Sequence, residues 1–117
     1  MAIHQAIYKR LKECARRGEL INYSEIAPLA DLNMEKQADR TQMGELLGEI
    51  STNELENGRP MLSAIVVLKE SAIPGEGFFN LARYLGVYHG HGDDTDVEFF
   101  ALEVNKVFTF WENSIEP

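Results

Sequence analysis

Leu20-Ile21-Asn22-Tyr23-Ser24-Glu25-Ile26-Ala27 sets the reading of the fold. Leu20 to Tyr23 is short, apolar and aromatic enough for an extended piece. Ser24 then offers its hydroxyl as an N-cap to a brief helix carrying Glu25, Ile26 and Ala27. Pro28 is compatible with that helix only near its first turn, where backbone N–H groups lack helical partners. Asp31-Leu32-Asn33 reads as a turn, and Asn33 is placed to cap the element that follows.

On the N-terminal side, Ile3, Ile7, Leu11 and Cys14 fall at helical period and predict a helix from about Ile3 to Arg17. Gly18 is placed to stop it, and the basic residues near its end suit the negative pole of the helix dipole. On the C-terminal side a longer helix is expected over much of Met34 to Asn57, with an apolar face of Met43, Leu46, Leu47 and Ile50. Its regular part is expected from Asp39-Arg40-Thr41-Gln42, and Ser51-Thr52-Asn53-Glu54 marks a place where it can break. Gly44 and Gly48 lie one turn apart, each costing about 1 kcal/mol against Ala in a helix interior. The expected return is a close approach by another backbone.

Leu62-Ser63-Ala64-Ile65-Val66-Val67-Leu68-Lys69 predicts a strand buried on both faces. Pro74-Gly75 predicts a type II turn with Gly75 at positive φ. Phe78, Phe79, Leu81, Ala82 and Leu85 predict a short helix ended by Gly86. Thr95-Asp96-Val97-Glu98 reads as a capping box that opens a last helix running to about Trp111. Val97, Phe100, Ala101, Val104, Phe108 and Trp111 share one face of it, and Phe99, Leu102, Val107 and Phe110 widen the apolar surface.

The order helix, short strand, helix, helix, strand, turn resembles a winged helix-turn-helix. Within it, Ile21 to Ala27 resembles the start of the DNA-binding half of alkyltransferase and alkyltransferase-like proteins, which carry a similar Tyr-x-Glu-Ile-Ala run. Gly44-Glu45-Leu46-Leu47 and Val66-Val67 echo that family's recognition helix and following strand, so the resemblance spans roughly residues 20–70. It implies a DNA-facing fold without alkyl transfer. Where the family holds its reactive cysteine, this chain reads Arg59-Pro60-Met61-Leu62-Ser63, and Cys14 lies on a helix's apolar stripe as a core residue. The expected fold class is α+β, a single mostly helical winged-helix-like domain over 1–117 with a small sheet and a long C-terminal helix.

Totals agree with one globular domain: 117 residues, 44% hydrophobic and 26% charged. No apolar run approaches the roughly 20 residues of a membrane span, and the start has no charged-then-apolar leader pattern. The single cysteine allows no internal disulfide, which together with these features predicts a cytoplasmic protein with no membrane partner. Net charge is −8, yet residues 9–17 hold five of the eleven basic side chains. An acidic body argues against broad wrapping of nucleic acid and leaves room for a local basic patch or a solvated helix face.

His89-Gly90-His91-Gly92-Asp93-Asp94 is the one cluster with metal-ligand spacing, with His89, His91 and Asp93 as candidate ligands. It resembles the His-x-His-x-Asp-His segment of metallo-β-lactamase-like hydrolases. The alternative is a glycine-rich loop whose carboxylates favour a helix N-terminus. Pro74-Gly75-Glu76-Gly77 could aim N–H groups at an anion, although Glu76 opposes a phosphate and a structural turn explains it. Glu49, Glu54, Arg59 and Glu76 are the residues from which an acid/base site could be gathered, and no pattern ties them together.

The leading expectation is therefore a small non-enzymatic regulatory or adaptor protein without a cofactor, possessing a DNA-binding surface made by Lys9, Arg10, Lys12, Lys36, Gln37, Arg40 and Thr41. The first alternative is an acidic protein-binding module or inhibitor in which Glu45, Glu49, Glu54 and Glu56 imitate phosphates. The second is a metal-dependent enzyme using the His89/His91 loop. A homodimer through Phe99, Phe100, Val107, Phe110 and Trp111 is expected in addition.

Overall fold

The computed structural model describes residues 3–114. In chain order it has α1 (Gln5–Arg17), β1 (Ile21–Asn22), α2 (Tyr23–Ile26), a 3-10 turn (Ala27–Ala30) and α3 (Gln37–Glu56). A second 3-10 turn (Leu62–Ile65), β2 (Val66–Val67), α4 (Glu76–Tyr84) and α5 (Asp93–Glu112) follow. This is a mostly helical α+β fold with a small sheet and a long C-terminal helix. The two strands pair in parallel, Ile21 beside Val66 and Asn22 beside Val67.

α1 follows its sequence closely. The His4 side chain caps it by accepting from the Ile7 N–H at 3.2 Å, and Ile7, Leu11, Cys14 and Ala15 are buried. Gly18, at φ 68°, closes it in the left-handed region. There its N–H and that of Glu19 donate to the carbonyls of Ala15 and Cys14, a Schellman ending. α2 begins one residue before the expected cap: Asn22 is its N-cap, its N–H donating to Glu25 at 3.1 Å, and Ser24 is exposed inside the helix. Pro28 occupies the first turn of the 3-10 segment, as its missing N–H requires.

α3 starts at Gln37, ahead of the expected Asp39, and runs through Ser51 without a break. Ser51 is buried, and its hydroxyl serves the Leu62–Ile65 turn instead of starting a helix. The expected strand Leu62–Lys69 is a correction: only Val66 and Val67 pair, preceded by the 3-10 turn. Met61 to Val67 are nonetheless all buried, and this segment is packed by α1, α3 and α5. A continuous apolar run fixes burial and leaves backbone type open.

The expected type II turn is also corrected. Gly75 has φ −70° and serves as the extended N-cap of α4, while the positive φ of this loop falls on Ala72, at 59°. α5 begins at Asp93 and not at Thr95; the Thr95 hydroxyl instead bonds back to the carbonyls of His91 and Gly92. Asp93, Asp94 and Asp96 lie in its first turn, where the dipole favours negative charge.

No helix among the described residues is long and apolar enough to cross a membrane.

Candidate functional site

A cavity of about 760 Å³ opens where α3, α4, the β1–α2 junction and the loop after β2 meet. That is the size of a small-molecule or base pocket. One wall is the solvent-side ridge of α3, carrying Arg40, Thr41, Gly44, Glu45 and Gly48. Tyr23, Phe78, Leu47 and Leu81 supply apolar and aromatic surface, and Ser63 lies at the buried end.

The helix glycines make room for it. A Cβ at Gly44 would meet nothing within 4 Å, and one at Gly48 would touch only the Leu81 side chain, at 3.7 Å. No backbone closes on either residue, contrary to the expectation from their spacing. Their cost in helix propensity is matched by open volume.

Tyr23 is anchored by the Gly75 N–H, which donates to its hydroxyl at 3.0 Å. Burial pushes the Tyr23 phenol above its ordinary range, only partly opposed by that hydrogen bond, so it stays neutral. At the buried end the Ser51 and Ser63 hydroxyls lie 2.6 Å apart. The mouth mixes signs, with Arg40 and Lys69 beside Glu45 and Glu70.

The structure divides the nucleic-acid candidates. Gln37, Arg40 and Thr41 are exposed on the first turns of α3, with Lys36 as its N-cap. Arg40 donates to the Met34 carbonyl and to the Gln37 side chain, both at 2.8 Å, so its guanidinium is held at the helix start. Arg40 and Thr41 also line the cavity. Lys9, Arg10 and Lys12 belong to α1, which packs on α5 and both 3-10 turns. Lys12 sits 4.3 Å from the Tyr8 ring and Arg16 5.4 Å from the Trp111 ring, so part of the basic block covers aromatic core residues.

His89 and His91 are exposed, and among the described residues no three His, Cys, Asp or Glu side chains converge on a metal position. Their loop is a clasp between α4 and α5. Arg83 donates to the Gly90 carbonyl at 2.8 Å and to Asp96 at 2.9 Å, and Tyr88 donates to Asp96 while stacking 4.4 Å from Phe99. A Cβ at Gly90 would lie 2.8 Å from the Tyr88 ring, so that position has room only for glycine.

Val107 and Trp111 are fully buried in the chain's own core, which corrects their place in an oligomer surface; Phe99, Phe100 and Phe110 are half-buried against it.

Glu54 is another correction. It is fully buried and pairs with Arg59, so it cannot join an exposed acidic array. Glu45 and Glu56 are exposed.

Sequence reasoning did not assemble Tyr23, Gly44, Gly48, Ser63 and Phe78 into one site. The signal available was a pair of glycines one turn apart in α3, beside its Met43–Leu47–Ile50 face, where no backbone contact demands them. In comparisons with known proteins, no family model, no curated protein and no solved structure matches the chain.

Proposed function

We propose that this protein is a small non-enzymatic regulatory or adaptor module that binds nucleic acid by taking an extruded base into the glycine-walled pocket. The observation that carries the reading is the position of the pocket: Arg40 and Thr41, on the helix start expected to contact DNA, are also part of its lining. A base removed from its stack needs aromatic or apolar faces and a few polar groups at its edge. Tyr23, Phe78 and Leu81 are suited to the first, Thr41 and Ser63 to the second. The resemblance of residues 20–70 to the DNA-binding half of alkyltransferase-like proteins supports the same orientation.

Few cations serve this surface. Lys36 and Arg40 stand among Glu35, Asp39 and Glu45, so binding should depend on the pocket more than on phosphate neutralisation, with a shallow salt slope. Fluorescence anisotropy with matched duplex, duplex carrying an unpaired base, and single strand tests this at low and physiological salt. Preference for the unpaired base, with affinity for all three DNAs lowered by Lys36→Glu, is the expected result. Failure of all three DNAs to bind at low salt would overturn it.

The acidic protein-binding module remains the second reading, favoured by the net charge of −8 and by exposed Glu45 and Glu56. It predicts retention of a basic protein partner by a protein that ignores DNA.

A further inference from the structure

We infer that the outward stripe of α5 docks a second copy of this chain, antiparallel, with the two-fold axis at Leu102. Glu98, Leu102 and Lys106 follow one another at intervals of four residues, a single ridge on the exposed side of the helix. Leu102 is 63% exposed at the centre of that ridge, although its neighbours Glu103 and Val104 are buried. Charge is distributed unevenly along the helix: Asp93, Asp94, Asp96 and Glu98 crowd its first half, while the second carries Lys106 with Glu112 and the buried Glu103.

This arrangement selects one register. Around an axis at Leu102, residues equally distant from it in sequence face each other. Glu98 of each copy then meets Lys106 of the other, twice per dimer, and Thr95 meets Thr109. A parallel pair would instead set Glu98 against Glu98. Lys106 is available, being 69% exposed and only 3.9 Å from its neighbour Glu103 in a loose contact.

Shape agrees with charge. A groove of about 740 Å³ runs beside the second half of α5, bordered by Leu102, Lys106, Phe110, Pro60 and Val87. Thr109, on the same ridge as Leu102 and Lys106, also borders the groove, so the groove and the ridge form one continuous surface. The half-buried Phe110 forms part of the groove wall, so the dimer surface lies on the outer ridge and not on the buried Val107 and Trp111. The groove shares no lining residue with the base-sized pocket, so dimerisation leaves that pocket open.

Light scattering across micromolar to high micromolar concentration tests the proposal on the full chain. The wild-type protein should reach twice the monomer mass. Glu98→Lys and Lys106→Glu should each raise the dimer dissociation constant by about tenfold or more, because like charges then face each other twice. Mixing the two variants should restore a dimer, since each supplies the charge the other lacks. All three changed or unchanged positions are exposed, and circular dichroism checks that folding is kept. A wild-type monomer at the highest concentration would overturn the dimer. Single variants that dimerise normally, or a mixture that stays monomeric, would overturn the Leu102 register.

Discussion

Ser51 on α3 and Ser63 in the buried crossing segment are joined twice: their hydroxyls lie 2.6 Å apart, and the Ser63 N–H donates to the Ser51 oxygen at 3.0 Å. The two partners are unequal. Ser51→Ala removes the acceptor of a buried backbone N–H and should cost about 1–3 kcal/mol. Ser63→Ala leaves that bond in place and should cost clearly less. Urea unfolding of both variants measures the difference.

Arg59 reaches the fully buried Glu54. Removing one partner of a buried pair strands the other charge, a loss of about 3–5 kcal/mol. Arg59→Met should therefore destabilise strongly, and adding Glu54→Gln should recover part of the loss. Thermal or urea unfolding of the single and double variants reads the coupling.

Gly44 allows stability to be tested apart from the proposed binding. With nothing within 4 Å of a Cβ there, Gly44→Ala should stabilise α3 by about 1 kcal/mol. Gly44→Leu should keep the fold and fill the pocket, abolishing the preference for an unpaired base. A Gly44→Leu protein that melts normally and binds as wild type would move the base elsewhere.

The phenol of Tyr8 is pushed up to about 12, first by burial and then by the hydrogen bond and negative charge of Glu54, with Arg59 opposing. The raised value belongs to the folded state, so its stabilisation is complete below pH 10 and lost as pH rises from 10 towards 12. Melting temperature should fall across that window, and Tyr8→Phe should flatten the fall. Burial likewise raises the Cys14 thiol, so it should resist thiol reagents until the protein unfolds.

Much of the scaffold was legible because local rules governed it. The α1 stripe, the Gly18 ending, the Pro28 position and the Met43–Leu47–Ile50 face depend on neighbours within a turn or two. Reading failed where distant partners decide. Glu54 and Glu103 look like surface carboxylates until Arg59 and the Met61 N–H are brought to them, the latter at 2.9 Å. Ser51 resembles a helix start until Ser63 arrives. The pocket is illegible in sequence for the same reason: its walls come from residues 22–24, 34, 40–48, 63–70 and 75–81, which no sequence window joins. The His89–Asp94 loop carried ligand-like spacing, but Arg83 and Tyr88 account for its geometry.

The unbroken burial from Met61 to Val67 also sets a hierarchy of motion. These backbone amides lie under α1, α3 and α5, so they should exchange with solvent only when the whole molecule opens. Leu68 to Ala72, immediately after them, are exposed and should exchange through local fluctuations. The same stretch of chain thus passes from the part expected to open last to an exposed edge within one peptide bond, so the buried end of the pocket should hold its shape while its rim yields first.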